Sequence, residues 1–135
     1  MGVRVDFTGV SSGFEKIEPG VYLARVKKIE QRMSQAQKPY LNWVFVIIGG
    51  DYDGRNVFYM TSLAPNALWK LKDVLAKAFG YSRRDLAGEF DLDTEALIGE
   101  EIAVVIGEEE YNGEMRDRVI DVVSASAVGE GPTFL

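Results

Sequence analysis

The chain has 135 residues, 47% of them hydrophobic and 27% charged, the composition of one folded domain large enough to bury a core. It contains no cysteine and no histidine, which excludes disulfides, thiolate metal sites, cysteine nucleophiles and Ser-His-Asp chemistry. The net charge of −6 is unevenly spread: residues 1–84 carry 13 Lys/Arg against 7 Asp/Glu, and residues 85–135 carry 2 against 14. A +6 half therefore precedes a −12 half.

The N-terminus MGVRVDFTGV has no long apolar run. Neither a signal peptide nor a membrane span is expected, and the lack of cysteine suits a cytoplasmic setting. Val3, Val5 and Phe7 alternate before a Gly/Ser loop, Phe14 and the break at Pro19-Gly20. Val21 to Met33 then reads as a first strand, with Tyr22, Ala24 and Val26 alternating against Arg25 and Lys27. A second strand spans Tyr40 to Ile48, with Leu41, Trp43, Phe45 and Ile47 on one face and Tyr40, Asn42, Val44 and Val46 on the other. The turn Gly49-Gly50-Asp51-Tyr52-Asp53-Gly54 leads directly into a third strand, Arg55 to Thr61, so a hairpin is predicted.

Pro65 opens a helix to Phe79, with Leu68, Leu71, Leu75 and Phe79 as its apolar stripe and Gly80 at its end. The stretch from Ser82 to Asp93 is polar, and Thr94 to Ile98 has the length of one helical turn. Glu101 to Glu110 holds the apolar run IAVVI, a strand buried on both faces. It joins a fifth strand, Met115 to Ala125, through the type I′ pair Asn112-Gly113.

Three strands, a helix and two strands is the element order of the oligonucleotide-binding (OB) fold. The expected architecture is therefore all-β with one helix between strands 3 and 4, the five strands closed into a barrel that hides their edges. An open α+β sheet with the helix on one face has the same order. Residues 1–125 are read as the domain and 126–135 as a C-terminal tail.

Several short motifs carry a resemblance across residues 14–123. They are Pro19-Gly20-Val21-Tyr22-Leu23-Ala24, Leu41-Asn42, Gly50-Asp51-Tyr52-Asp53-Gly54-Arg55, Ala67-Leu68-Trp69-Lys70-Leu71, Ile98-Gly99 and Glu109-Glu110-Tyr111-Asn112-Gly113. In order and spacing the chain resembles a family of phage-encoded single-stranded DNA-binding proteins, long catalogued as a domain of unknown function. The resemblance implies an OB fold and sequence-tolerant binding of single strands in phage DNA replication or recombination. One departure is the tail: SASAVGEGPTFL has a single acid, Glu130, where many such proteins end in an acidic segment, although it closes on Phe134-Leu135.

Single-strand binders need cations for phosphates and rings on which bases stack. The first three strands and the last hairpin supply both: Arg25, Lys27, Lys28, Arg32, Lys38, Arg55 and Arg116 as cations, Tyr40 and Tyr59 as rings. Trp43 and Phe45 are assigned to the core, Tyr22 to the core with a wet hydroxyl, and Tyr52 to its turn. Phe58 is left unassigned. Trp69 lies off the helix stripe, and an exposed interface is the sharper of its two readings.

Asp91-x-Asp93-x-Glu95 has the spacing that opens a calcium loop, but Ala96 stands where glycine is needed and Ile102 where the closing carboxylate belongs. No catalytic role, metal or cofactor is expected. The expected partner is single-stranded DNA, with phage or host replication or recombination proteins as further candidates and no membrane. An OB adaptor for such a protein, using the acidic half, is the alternative. The opposed charge of the two halves is compatible with homo-oligomers associating head to tail.

Overall fold

Each predicted strand forms: β1 (Gly20–Met33), β2 (Pro39–Ile47), β3 (Asn56–Ser62), β4 (Glu101–Tyr111) and β5 (Glu114–Ser124). In the computed structural model, which describes Gly2, Arg4 and residues 16–129, they make one antiparallel sheet in the order β3-β2-β1-β4-β5. β1 is long enough to serve two partners. It pairs with β4 from Gly20↔Ile106 to Arg25↔Glu101 and with β2 from Ala24↔Ile47 to Met33↔Pro39.

The helix α1 (Leu68–Phe79) falls between β3 and β4, as the sequence predicts. Pro65 starts a separate 3-10 turn, Pro65–Ala67, rather than the α-helix itself. Gly80 ends α1 in the left-handed region at φ 78°, its N–H donating to Ala76 O. Two one-turn helices accompany it: α2 (Thr94–Leu97), at the stretch read as one helical turn in length, and α3 (Ser126–Gly129), which the sequence reading did not include. The segment read as tail thus begins with helix. Val3, Val5, Phe7 and Phe14 lie outside the described residues, as does Phe134-Leu135. Among the described residues no helix is long and apolar enough to cross a membrane.

The β2 face read as interior is interior: Leu41, Trp43, Phe45 and Ile47 are all buried. The pairing register sets Trp43 opposite Tyr59 and Phe45 opposite Val57, so β3 contributes Val57, Tyr59 and Thr61 to the same core. Phe45 and Phe79 both stack on Trp43, with ring centroids 5.9 and 5.8 Å away. From α1 come Leu71, Val74 and Leu75, while Leu68, at the start of the helix, stays exposed. Ile17 is buried just ahead of β1, and its N–H donates to Asp117 Oδ2 at 2.8 Å, tying the chain's entry to β5.

Two β-bulges alter the faces. The β1–β2 register shifts between Val26 and Lys28, leaving Lys27 as the extra residue. Val26 faces the core, Lys27 and Lys28 are both exposed, and Ile29 packs back against the core. A bulge explains why strict alternation fails at that point of the sequence. The second shift, between Val105 and Ile106, leaves Ile120 unpaired and exposed.

The sheet is not closed. β3 and β5 approach each other, and α1 packs against both, but among the described residues no ladder joins them. The expected closure stops at this seam. The Asn112-Gly113 turn forms as predicted, with φ of 51° and 81°.

Candidate functional site

The register of β1, β2 and β3 lays their outward side chains in rows across the sheet: Arg32, Tyr40 and Ser62; Glu30, Asn42 and Met60; Lys28, Val44 and Phe58. Phe58 and Met60 are each 60% exposed, and Tyr40 is half-buried. The outer face therefore presents Phe58 and Met60 beside half-buried Tyr40 and buried Val44, edged by Lys28 and Arg32.

Tyr59 does not belong to it. It is 6% exposed and sits in the core beneath Lys70, whose Nζ lies 4.6 Å from the ring centroid. Burial, and secondarily Asp121, raises its phenol above the ordinary 10.0. The residue reading of Tyr59 as a surface ring is corrected by parity: directly opposite residues of an antiparallel pair share a face, so Tyr59 must follow Trp43 inward. The same parity turns Phe58, unassigned from sequence, outward.

The predicted cations fall into two groups. On β1, Lys28 and Arg32 both bind Glu30, Arg32 at 2.7 Å. Arg25 lies 3.5 Å from Glu101, and Lys27 Nζ donates to Asn56 Oδ1 at 3.5 Å. Lys38 is exposed at the β1–β2 turn, with no carboxylate in ion-pair range among the described residues. The second group is gathered by the open seam. Arg55 and Arg116 line a groove of about 1020 Å³ between β3 and β5, together with Phe58, Met115 and Arg118. A second hollow of about 560 Å³ shares Phe58 and Arg116 and adds Met60, Lys70 and Tyr111.

Across both hollows the walls hold Lys16, Arg55, Lys70, Arg116 and Arg118 against Glu109, Glu114 and Asp117; with Lys16 bound to Glu108 at 2.7 Å, a small positive balance is left in a protein of net charge −6. Glu109 is bound by Arg118 at 3.0 Å, and Asp117 accepts from Ile17 N. Arg116 rests on the ring of Tyr111, its guanidinium 4.7 Å from the centroid. Burial, and then Arg118, lowers the Lys70 ammonium below the ordinary 10.5. Sequence reading missed Lys16, Lys70, Met60, Tyr111 and Met115 as neighbours of this groove. Their common signal is proximity across the β3–β5 seam, which no local pattern carries.

Asp93 spends its carboxylate on the backbone. Oδ1 accepts from Glu95 N at 3.1 Å and Ala96 N at 3.4 Å, capping α2. Trp69 projects from α1 at 69% exposure rather than packing against the core.

Fold and site together define a mostly β protein whose open sheet seam forms a basic, aromatic-lined groove. The family model described as "Protein of unknown function (DUF669)" matches residues 3–124, and the chain belongs to that family. No curated protein matches it.

Proposed function

We propose that this chain is an OB-type protein that binds single-stranded DNA without catalysis and with little regard to sequence, in phage DNA replication or recombination. The observation that carries the proposal is the groove: an acidic protein places a positive balance of side chains next to exposed Phe58, Met60 and Tyr111. Cations there neutralise strand phosphates, and rings accept bases of any sequence because every base has a π-face. The strand order, β1 paired to both β2 and β4, and β3 lying near β5 support a partly open OB barrel. The family resemblance over residues 14–123 points the same way.

The strand's path runs from Tyr40 and Arg32 across Phe58 to Arg55 and Arg116. Fluorescence anisotropy with labelled poly-dT tests the proposal. The expected result is binding at low salt that weakens as salt rises, since neutralised phosphates release counterions. No binding at low salt overturns it.

A second reading, an adaptor that holds a replication or recombination protein, is favoured by one observation, the exposure of Trp69 beside Leu68. It predicts a partner recovered from nuclease-treated extract and lost in Trp69→Ala, with no affinity for DNA.

A further inference from the structure

Glu30 is the only carboxylate in β1, β2 or β3. It stands on the outer face, in the row of Asn42 and Met60, between the rows that carry Lys28 and Arg32. One of its oxygens binds Lys28 Nζ. The other accepts from both Nε and Nη2 of Arg32, at 3.0 and 2.7 Å. Two edge donors of a guanidinium are the group a phosphate would engage. All three side chains reach solvent, so the arrangement adds little to folding stability.

We propose that Glu30 is an internal competitor for strand phosphate: its carboxylate holds the donors of Lys28 and Arg32 against small anions and gives them up only in part to a polyanion. The inference rests on the single-strand reading of the same face. A tethered group competes at an effective concentration on the order of millimolar. A lone phosphate meets that competition at one point and fails. A strand already held by Arg55, Arg116 and stacked bases meets it with its other contacts in place. Glu30 thereby sets the affinity of the site and makes it selective for polymers over small anions.

The test is Glu30→Gln, which keeps shape and removes charge, in labelled poly-dT binding across a salt series. Each phosphate gained steepens the logarithmic salt slope by about 0.7, which amounts to about fivefold in affinity for every tenfold fall in salt. E30Q is expected to bind tighter with a slope steeper by about 0.7 to 1.4, while Glu95→Gln on α2 leaves slope and affinity as in wild type. Equal slopes for E30Q and wild type overturn the inference. So does an equal gain in E95Q, which would mark a bulk-charge effect.

A second readout stands apart from DNA. The Arg32 Nε–H resonance is followed by ¹⁵N NMR during titration with inorganic phosphate. It is expected to shift in E30Q and not in wild type, and no shift in E30Q overturns the inference whatever poly-dT does. If wild type fails to bind poly-dT while E30Q shows this shift, the DNA reading falls and the competition at Arg32 stands.

Discussion

The indole N–H of Trp43 donates to Thr61 Oγ1 at 2.9 Å, and both side chains are fully enclosed. This bond crosses from β2 to β3 inside the core, on the face that both strands turn inward. Thr61→Val keeps the volume and the branched Cβ but leaves a buried N–H without an acceptor, at a cost of about 1–3 kcal/mol. Urea unfolding should show that loss, with poly-dT affinity of the still-folded protein unchanged.

Adjacent residues of β3 should separate binding from folding. Phe58→Ala removes an exposed ring, so affinity for poly-dT should fall by about 1–3 kcal/mol per base no longer stacked, with stability within about 0.5 kcal/mol of wild type. Tyr59→Ala empties a core position and should cost about 3–5 kcal/mol of stability, as large aromatic truncations do. Anisotropy and chemical unfolding on both variants check the pair. The reverse pattern would place Phe58 in the core and contradict its exposure.

Arg55, just ahead of β3, and Arg116 on β5 line one groove from segments distant in sequence. If both hold phosphates, Arg55→Ala and Arg116→Ala should each flatten the salt slope by about 0.7, and the double variant by about twice that. Slopes equal to wild type would remove these two from the strand's path. Tyr40→Ala, in the row of Arg32 and Ser62 at the other end of the β2–β3 ladder, should weaken binding without a comparable loss of stability.

Tyr59 also predicts an alkaline weakness. Burial first, and Asp121 second, raises its phenol above 10.0, because the enclosed ring disfavours phenolate. The folded state therefore holds the proton more tightly than the unfolded chain. The linked stability is fully present below the unfolded value and is lost as pH climbs through the raised one. Between about pH 9 and about pH 11, wild type should lose more stability than Tyr59→Phe, measured by urea midpoints at each pH. Parallel losses would count against an enclosed phenol.

Much of the sheet was legible because its signals are local. Alternation through Leu41, Trp43, Phe45 and Ile47 names a buried face, and Asn112-Gly113 names a turn. Less legible was the parity of β3, whose run NVFYMTS is apolar on both faces. Only pairing with β2 decides that Tyr59 goes in and Phe58 and Met60 go out. The bulge at Lys27 left a trace, two consecutive lysines between inward Val26 and Ile29, but a polar strand end leaves the same one.

The sequence by itself determined the five strands, the helix between the third and fourth, the core face of β2 and the segregation of charge at residue 84. Those follow from side-chain period and turn chemistry, which act over a few residues. Tertiary structure decided the rest. It left the β3–β5 seam without a ladder, drew Lys70 and Arg116 from different elements to one groove, and set Glu30 across Lys28 and Arg32. These depend on where strand edges meet and which side chains then share a surface, and that is fixed by the packing of the whole chain.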